Sequence, residues 1–226
     1  MKKNIAALAF LLLIPMLTAH AQNLESVLNS MDKAAADFKT AQTDFEWDNF
    51  TKVVEEHEYQ KGTMYFRRQN GDVQMAADIT SPDKKYVLFN GGVVSVYLPK
   101  AGQITEYNAG KNKADFETFL VLGFGGRGHD LAKAFDVKYA GMEKVQGINA
   151  AKLELTPKSE KVAKMFQTIT LWIDTSRGVS VQQLFMTSSG DYRVAKYNNI
   201  QLNPKLSNDV FKIKTSGKVT YVKPNS

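Results

Sequence analysis

The spacing of apolar residues changes twice along this chain, and each change predicts a different element. Ile5 to Leu17 is an apolar run interrupted only by Pro15. Lys2 and Lys3 precede it, and Ala19-His20-Ala21 follows with small residues at the positions a leader peptidase requires. The run falls short of the roughly 20 apolar residues that span a bilayer. It predicts a cleaved secretory signal peptide over residues 1–21 and one exported domain over residues 22–226. No cysteine follows the run, so the leader is not that of a lipoprotein.

Leu24, Val27, Leu28, Met31, Ala34, Ala35 and Phe38 then recur at steps of three and four, which predicts an amphipathic helix packed on a sheet. After it the period becomes two. Phe45 and Trp47, then Met64 and Phe66, alternate with polar neighbours. Strand-like segments continue at Val73 to Thr80, Lys85 to Asn90, Val93 to Leu98 and Gln103 to Tyr107. Asn90-Gly91-Gly92 supplies residues that tolerate positive φ in a tight hairpin.

Between Ala114 and Phe135 the pattern turns helical. Phe116, Phe119, Leu120 and Leu122 suit a short apolar helix, Gly125-Gly126-Arg127-Gly128 breaks it as a flexible hinge, and His129 to Phe135 suits a second helix. Strands resume at Val137 to Ala140, Ala151 to Thr156, Thr168 to Asp174, Val179 to Thr187 and Tyr192 to Leu202, with a helical insertion at Val162 to Phe166. Short turns imply antiparallel neighbours. A single large antiparallel sheet of ten or eleven strands must curl to bury its apolar face, as a barrel, half-barrel or sandwich. Tyr86 to Phe89 and Leu184 to Met186 are apolar on both faces. A fully covered core strand explains that pattern, and so does an open sheet holding an apolar ligand.

Composition narrows the function. Without Lys2 and Lys3, 27 basic side chains stand against 23 acidic ones, a net charge of +4 on 205 residues. That excess is too mild and too concentrated in the C-terminal lysines for a nucleic-acid groove. The absence of cysteine excludes disulfides and thiolate metal sites. Only His57 and His129 remain after the leader, and neither a G-x-S-x-G elbow nor an H-E-x-x-H helix is present. In Glu55-Glu56-His57-Glu58 a strand would send alternate side chains to opposite faces, so a hydrated strand or loop is expected rather than a metal site. Phe124-Gly125-Gly126-Arg127-Gly128-His129 lacks the spacing of a nucleotide loop. No catalytic residue and no cofactor is expected.

The ordered set of segments carries more than any single motif. It comprises Gly62-Thr63-Met64-Tyr65-Phe66-Arg67-Arg68, Tyr86-Val87-Leu88-Phe89-Asn90-Gly91-Gly92, Val94-Ser95-Val96-Tyr97-Leu98-Pro99, Tyr197-Asn198-Asn199-Ile200-Gln201 and a closing Val210-Phe211-Lys212-Ile213. This order resembles the periplasmic outer-membrane lipoprotein carriers, the LolA family, over nearly the whole mature chain. Gln69 stands where that family often has proline, and Ser95 where it often has an aromatic residue.

The resemblance implies a mainly β (α+β) fold, an incomplete half-barrel whose concave apolar face is covered by helices. It implies a periplasmic monomer that takes acylated lipoproteins or other lipids from an inner-membrane ABC release complex to an outer-membrane acceptor. Arg68 falls where the family has a basic residue touching the lid, here expected over Phe116, Phe119 and Leu122. On alternating strand positions, Phe45, Trp47, Met64, Phe66, Leu88 and Val96 are expected to line the cavity. A sensor of the same fold and an exported hydrolase are the alternative functions.

Overall fold

The structure, a computed structural model, describes residues 15–69, 71–108, 110, 120–215 and 217–224, with side chains from Asn23 onward. Helix α1 spans Pro15–Asp37. Its apolar stripe is the predicted one, with Val27, Leu28, Met31 and Ala35 buried and Phe38 buried just beyond its end. The predicted cleavage point after Ala21 lies inside α1, but the stripe that packs on the sheet begins only at Leu24. None of the described helices is long and apolar enough to cross a membrane.

Twelve strands follow among the described residues: β1 Thr40–Thr51, β2 Glu56–Gln69, β3 Asp72–Ser81, β4 Lys85–Asn90, β5 Val93–Leu98, β6 Gln103–Asn108, β7 Phe135–Val145, β8 Ile148–Pro157, β9 Thr168–Asp174, β10 Val179–Met186, β11 Tyr192–Leu202 and β12 Thr220–Val222. Helix α2 spans Gly128–Ala134 and α3 Glu160–Ala163. All the strands join one sheet in the order β12-β6-β5-β4-β3-β2-β1-β11-β10-β9-β8-β7. Neighbours are antiparallel except for β12, which lies parallel to β6, so the sheet is mixed rather than wholly antiparallel. β12 and β7 are its two edges, and the sheet is not closed into a barrel.

The predicted hairpin at Asn90 has Gly91 and Gly92 at φ 60° and 83°, the left-handed conformation that a two-residue turn needs. The closing segment Val210 to Ile213 begins inside a short turn. Asn208–Phe211 is a 3-10 turn whose cap, the Ser207 hydroxyl, accepts from the Asp209 amide at 3.2 Å. Phe211 is buried there, with the Arg67 guanidinium 4.2 Å above its ring.

The register divides the side chains into two faces. Thr43, Met64, Ala77, Val87, Val96 and Thr105 form one continuous row across six strands. This is the inner face, on which α1 lies. Over β7 to β10 it buries Leu153, Leu155, Ile169, Leu171 and Phe185 against Val27 and Met31 of α1, against Leu122, and against Leu131 of α2. Over β1 to β4 it buries Phe45, Met64, Phe66, Met75 and Phe89 against Phe38 and Phe124.

Candidate binding site on the inner face

The apolar inner face is filled in this structure by the chain's own cover: α1, the loop Val121 to Gly126 and α2. Phe66 stacks on Phe124 with ring centroids 5.1 Å apart, and Tyr197 meets Phe124 edge-on at 4.8 Å. Aromatic pairs of this kind stabilise by about 1 kcal/mol beyond their buried area. The cover is therefore apolar where it touches the sheet.

Polar bonds fix its position. Arg68 Nη1 donates to the Ala35 carbonyl at 3.1 Å and Nη2 to the Gly125 carbonyl at 2.6 Å, while the guanidinium lies 5.4 Å over the Phe38 ring. Ala35 is in the last turn of α1, where carbonyls lack an intrahelical partner and carry partial negative charge. Burial lowers the Arg68 pKa without discharging it. On the other side of the loop, Gln183 Nε2 donates to the Leu122 carbonyl at 2.5 Å and the Ser180 amide to the Gly123 carbonyl at 2.8 Å. The Tyr197 hydroxyl completes this network by donating to Gln183 Oε1 at 2.9 Å, and burial pushes its pKa upward.

Close backbone approach explains two of the glycines. A Cβ on Gly125, at φ +84°, would stand 2.5 Å from the Phe38 ring, and one on Gly128 would stand 2.4 Å from the Leu28 carbonyl. The glycine-rich stretch read as a flexible hinge is thus packed tightly against α1. His129, which opens α2, is tied there as well: its Nδ1 lies 2.6 Å from Asp32 Oδ2 and its backbone amide donates to Asp32 Oδ1 at 3.2 Å. The Asp32 hydrogen bond raises the His129 pKa, against opposing desolvation. Burial pushes Asp32 up, but the hydrogen bonds from His129 outweigh it and leave the carboxyl below its usual range. Beside this contact is a cavity of about 470 Å³ whose lining includes Asp32, Arg68, Val121, Gly126 and Arg127.

The predicted lining residues divide. Phe45, Met64 and Phe66 are buried together on the inner face, and Trp47 packs against them with its ring 4.3 Å from Phe45. Val96 shares their face through its pairing with Val87. Leu88 does not. It is opposite Ala76 and Ser95, in the register that points to the outer face. Tyr86 to Phe89 is apolar on both faces, so alternation gave no parity there. Phe116 and Phe119 lie outside the described residues, and Leu122 is buried in the cover against α1. Arg68 points inward as its period with Met64 and Phe66 requires, but its acceptors are Ala35 and Gly125 instead of the end of a helix over Phe116 to Leu122.

Residues that sequence reasoning missed include Gln183, Ser180, Asp32 and Arg193. Gln183 was findable as a polar residue inside the apolar strand Val179–Met186. Arg193 faces inward from β11, opposite Asn49 of β1 and Phe185 of β10. His57 of the acidic strand pairs with Asp48 across the β1–β2 hairpin at 2.7 Å.

Comparison with known proteins agrees with this architecture. A structure of the MucA/MucB complex from Pseudomonas aeruginosa matches with a TM-score of 0.52 at 15% identity, covering 85% of this chain and 61% of that one. The chain thus spans about three fifths of the length of that relative. A conserved protein of Thermus thermophilus matches with a TM-score of 0.56 at 11% identity, covering 88% of this chain and 99% of that one. At these identities the likeness concerns the fold alone. No protein with a curated description matches the chain in sequence. The family described as outer membrane lipoprotein carrier protein LolA matches residues 36–214, most of the chain. The chain belongs to the LolA family.

Proposed function

We propose that this protein is a periplasmic carrier that takes up the acyl chains of lipoproteins on the inner face of its sheet and ferries them from the inner to the outer membrane. An inner-membrane ABC release complex is the donor and an outer-membrane acceptor the receiver. The observation that carries the reading is the pairing of a large apolar inner face with a cover held by a few hydrogen bonds. Acyl chains would take the places of Phe124, Leu122 and the α1 stripe against Phe45, Met64 and Phe66.

Magnitudes favour an open sheet for this task. A buried methylene is worth about 0.8 kcal/mol, so three long chains with on the order of 45 methylenes would gain about 35 kcal/mol if wholly enclosed. Reversible affinities stop near ~20 kcal/mol. A carrier must therefore shield its cargo partly and expel it readily. Here the cover's own apolar residues compete with the cargo for the same surface, which reduces the net gain on loading. Arg68 adds a polar bond that exists only in the closed state, so loading and closure oppose each other as in any two-state element biased by a ligand.

The test is mass spectrometry of the native protein isolated from periplasm beside a co-expressed lipoprotein. The expected species starts at Gln22 and carries a noncovalently bound acylated cargo. Recovery of the bare chain only, together with no uptake of a purified triacylated lipoprotein, would overturn the reading.

A further inference from the structure

Of the five arginines in the chain, four have an acceptor close by. Arg67 donates to Gln74 and Asn208, Arg68 to two carbonyls, and Arg177 to Asp174 at 2.7 Å, while Arg127 stands 4.0 Å from Asp32. Arg193 has none among the described residues, and its Nε is buried without a hydrogen-bond partner. Its guanidinium carbon lies 5.1 Å over the Trp47 ring and 5.2 Å over the Phe185 ring, so aromatic faces occupy both flanks of the group. Stacking of this kind covers the flat surfaces of a guanidinium, and here it leaves the Nε donor buried and unsatisfied while the residue as a whole is half-buried. Burial accordingly lowers its pKa.

The acids nearby do not neutralise it. Glu58 shares the inner face but sits two strands away on β2, with Oε1 accepting from Gln60 at 2.7 Å. Asp191, two residues earlier on the chain, accepts from the Lys52 amide and the Ser189 hydroxyl. A cation whose Nε is enclosed and unpaired, with no counter-ion beside it, is costly unless something else supplies the acceptor. Along β11 the inward positions after Arg193 are Ala195 and Tyr197, and these lead into the cluster of Phe45 and Phe66.

We propose that Arg193 is the anion-binding residue of the acyl site, so that the ligand this protein prefers is an acyl lipid bearing an oxyanion, a carboxylate or a phosphate, at its head. The inference rests on the acyl-binding part of the carrier reading and extends the cargo beyond triacylated lipoproteins, whose lipidated cysteine carries a thioether, esters and an amide but no oxyanion. The oxyanion meets the Nε and Nη edge of Arg193, the geometry that accepts carboxylate and phosphate in a bidentate manner, and the acyl chain runs from there past Ala195 toward Phe45. Arg68, at the opposite end of the inner face, keeps its role in holding the cover.

The experiment is displacement of a neutral fluorescent acyl probe from the mature protein by laurate, by methyl laurate and by dodecyl phosphate, each below its aggregation limit. The parent should bind laurate or dodecyl phosphate about tenfold or more tighter than the methyl ester, the scale of one charge-assisted hydrogen bond. Which of the two anions binds better identifies the head. Arg193→Gln should lose the preference for the anions over the ester, and Arg193→Lys, which keeps the charge without the fork, should lose part of it. Equal affinities for acid and ester in the parent, which need no variant to fold, would overturn the inference while leaving the carrier intact. So would a preference that survives in a folded Arg193→Gln, leaving the residue as an aromatic clamp. Failure of the parent to bind any of these ligands or the probe would overturn the carrier reading and this inference together.

Discussion

Arg68 joins a helix end and a glycine loop through one guanidinium, and both of its acceptors are main-chain carbonyls. Removing it takes the donor from the Gly125 carbonyl, at a cost of about 1–3 kcal/mol, and leaves the Ala35 carbonyl with only the long bond from the Phe38 amide at 3.4 Å. Arg68→Leu also adds apolar surface at the rim, so the variant should still load an acylated lipoprotein but release it to acceptor membranes about tenfold more slowly. Release rates measured with one cargo check this, and equal rates for variant and parent would exclude the latch. Phe66→Glu tests the inner face itself: an unpaired carboxylate at a position 2% exposed costs several kcal/mol. Acyl-probe binding should fall at least tenfold in the fraction of protein that circular dichroism reports as folded. The inward direction of Arg68 was legible because Met64 and Phe66 set the parity of β2. That of Leu88 was not, because four consecutive apolar residues carry no parity and the register across β3 to β5 decides it. Arg193 was invisible for a different reason: nothing in the sequence says that Trp47 and Phe185, far apart in the chain, stack on either side of it.

At the scale of elements, α1 and α2 are held together by His129 and Asp32, with Glu25 Oε1 3.2 Å from the other ring nitrogen. The His129 pKa is raised, so its contribution is complete below the ordinary histidine value of about 6.5 and disappears as pH rises through the raised value. The Asp32 pKa is lowered, so its contribution exists above the ordinary carboxylate value of about 3.9 and disappears as pH falls through the lowered one. The clasp is strongest between these limits. Hydrogen exchange in α2, corrected for intrinsic rates, should accelerate as pH rises above about 6.5 and the imidazolium discharges. His129→Ala should show no such pH dependence. The two helices were readable from periodicity, although α1 begins at Pro15, inside the run read as a leader. Their contact was not, since the Gly125 to Gly128 run reads as a break in sequence and becomes a close-packed seam only when Phe38 and Leu28 are brought against it.

At the scale of the molecule, strand lengths and turn residues were enough for one large sheet that must curl, while its being open came from the family resemblance. The parallel β12 was beyond that reading, because three residues, Thr220 to Val222, are too few for a period to show. The outer face also carries a cavity, of about 440 Å³, lined by Tyr65, Asp78, Tyr86, Tyr97 and the C-terminal segment at Val210. It is the competing place for an apolar ligand. Its walls are phenolic, and burial pushes the Tyr86 hydroxyl up to about 12, whereas the inner face is made of Phe45, Met64, Phe66, Met75 and Phe89. A fatty acid bearing a terminal diazirine, photolysed on the loaded protein and followed by peptide mapping, distinguishes the two directly. Label is expected on the inner-face side chains of β1, β2 and β3 and on Phe124 of the displaced cover. Label confined to Tyr65, Tyr86 and Tyr97 would contradict acyl binding by the inner face.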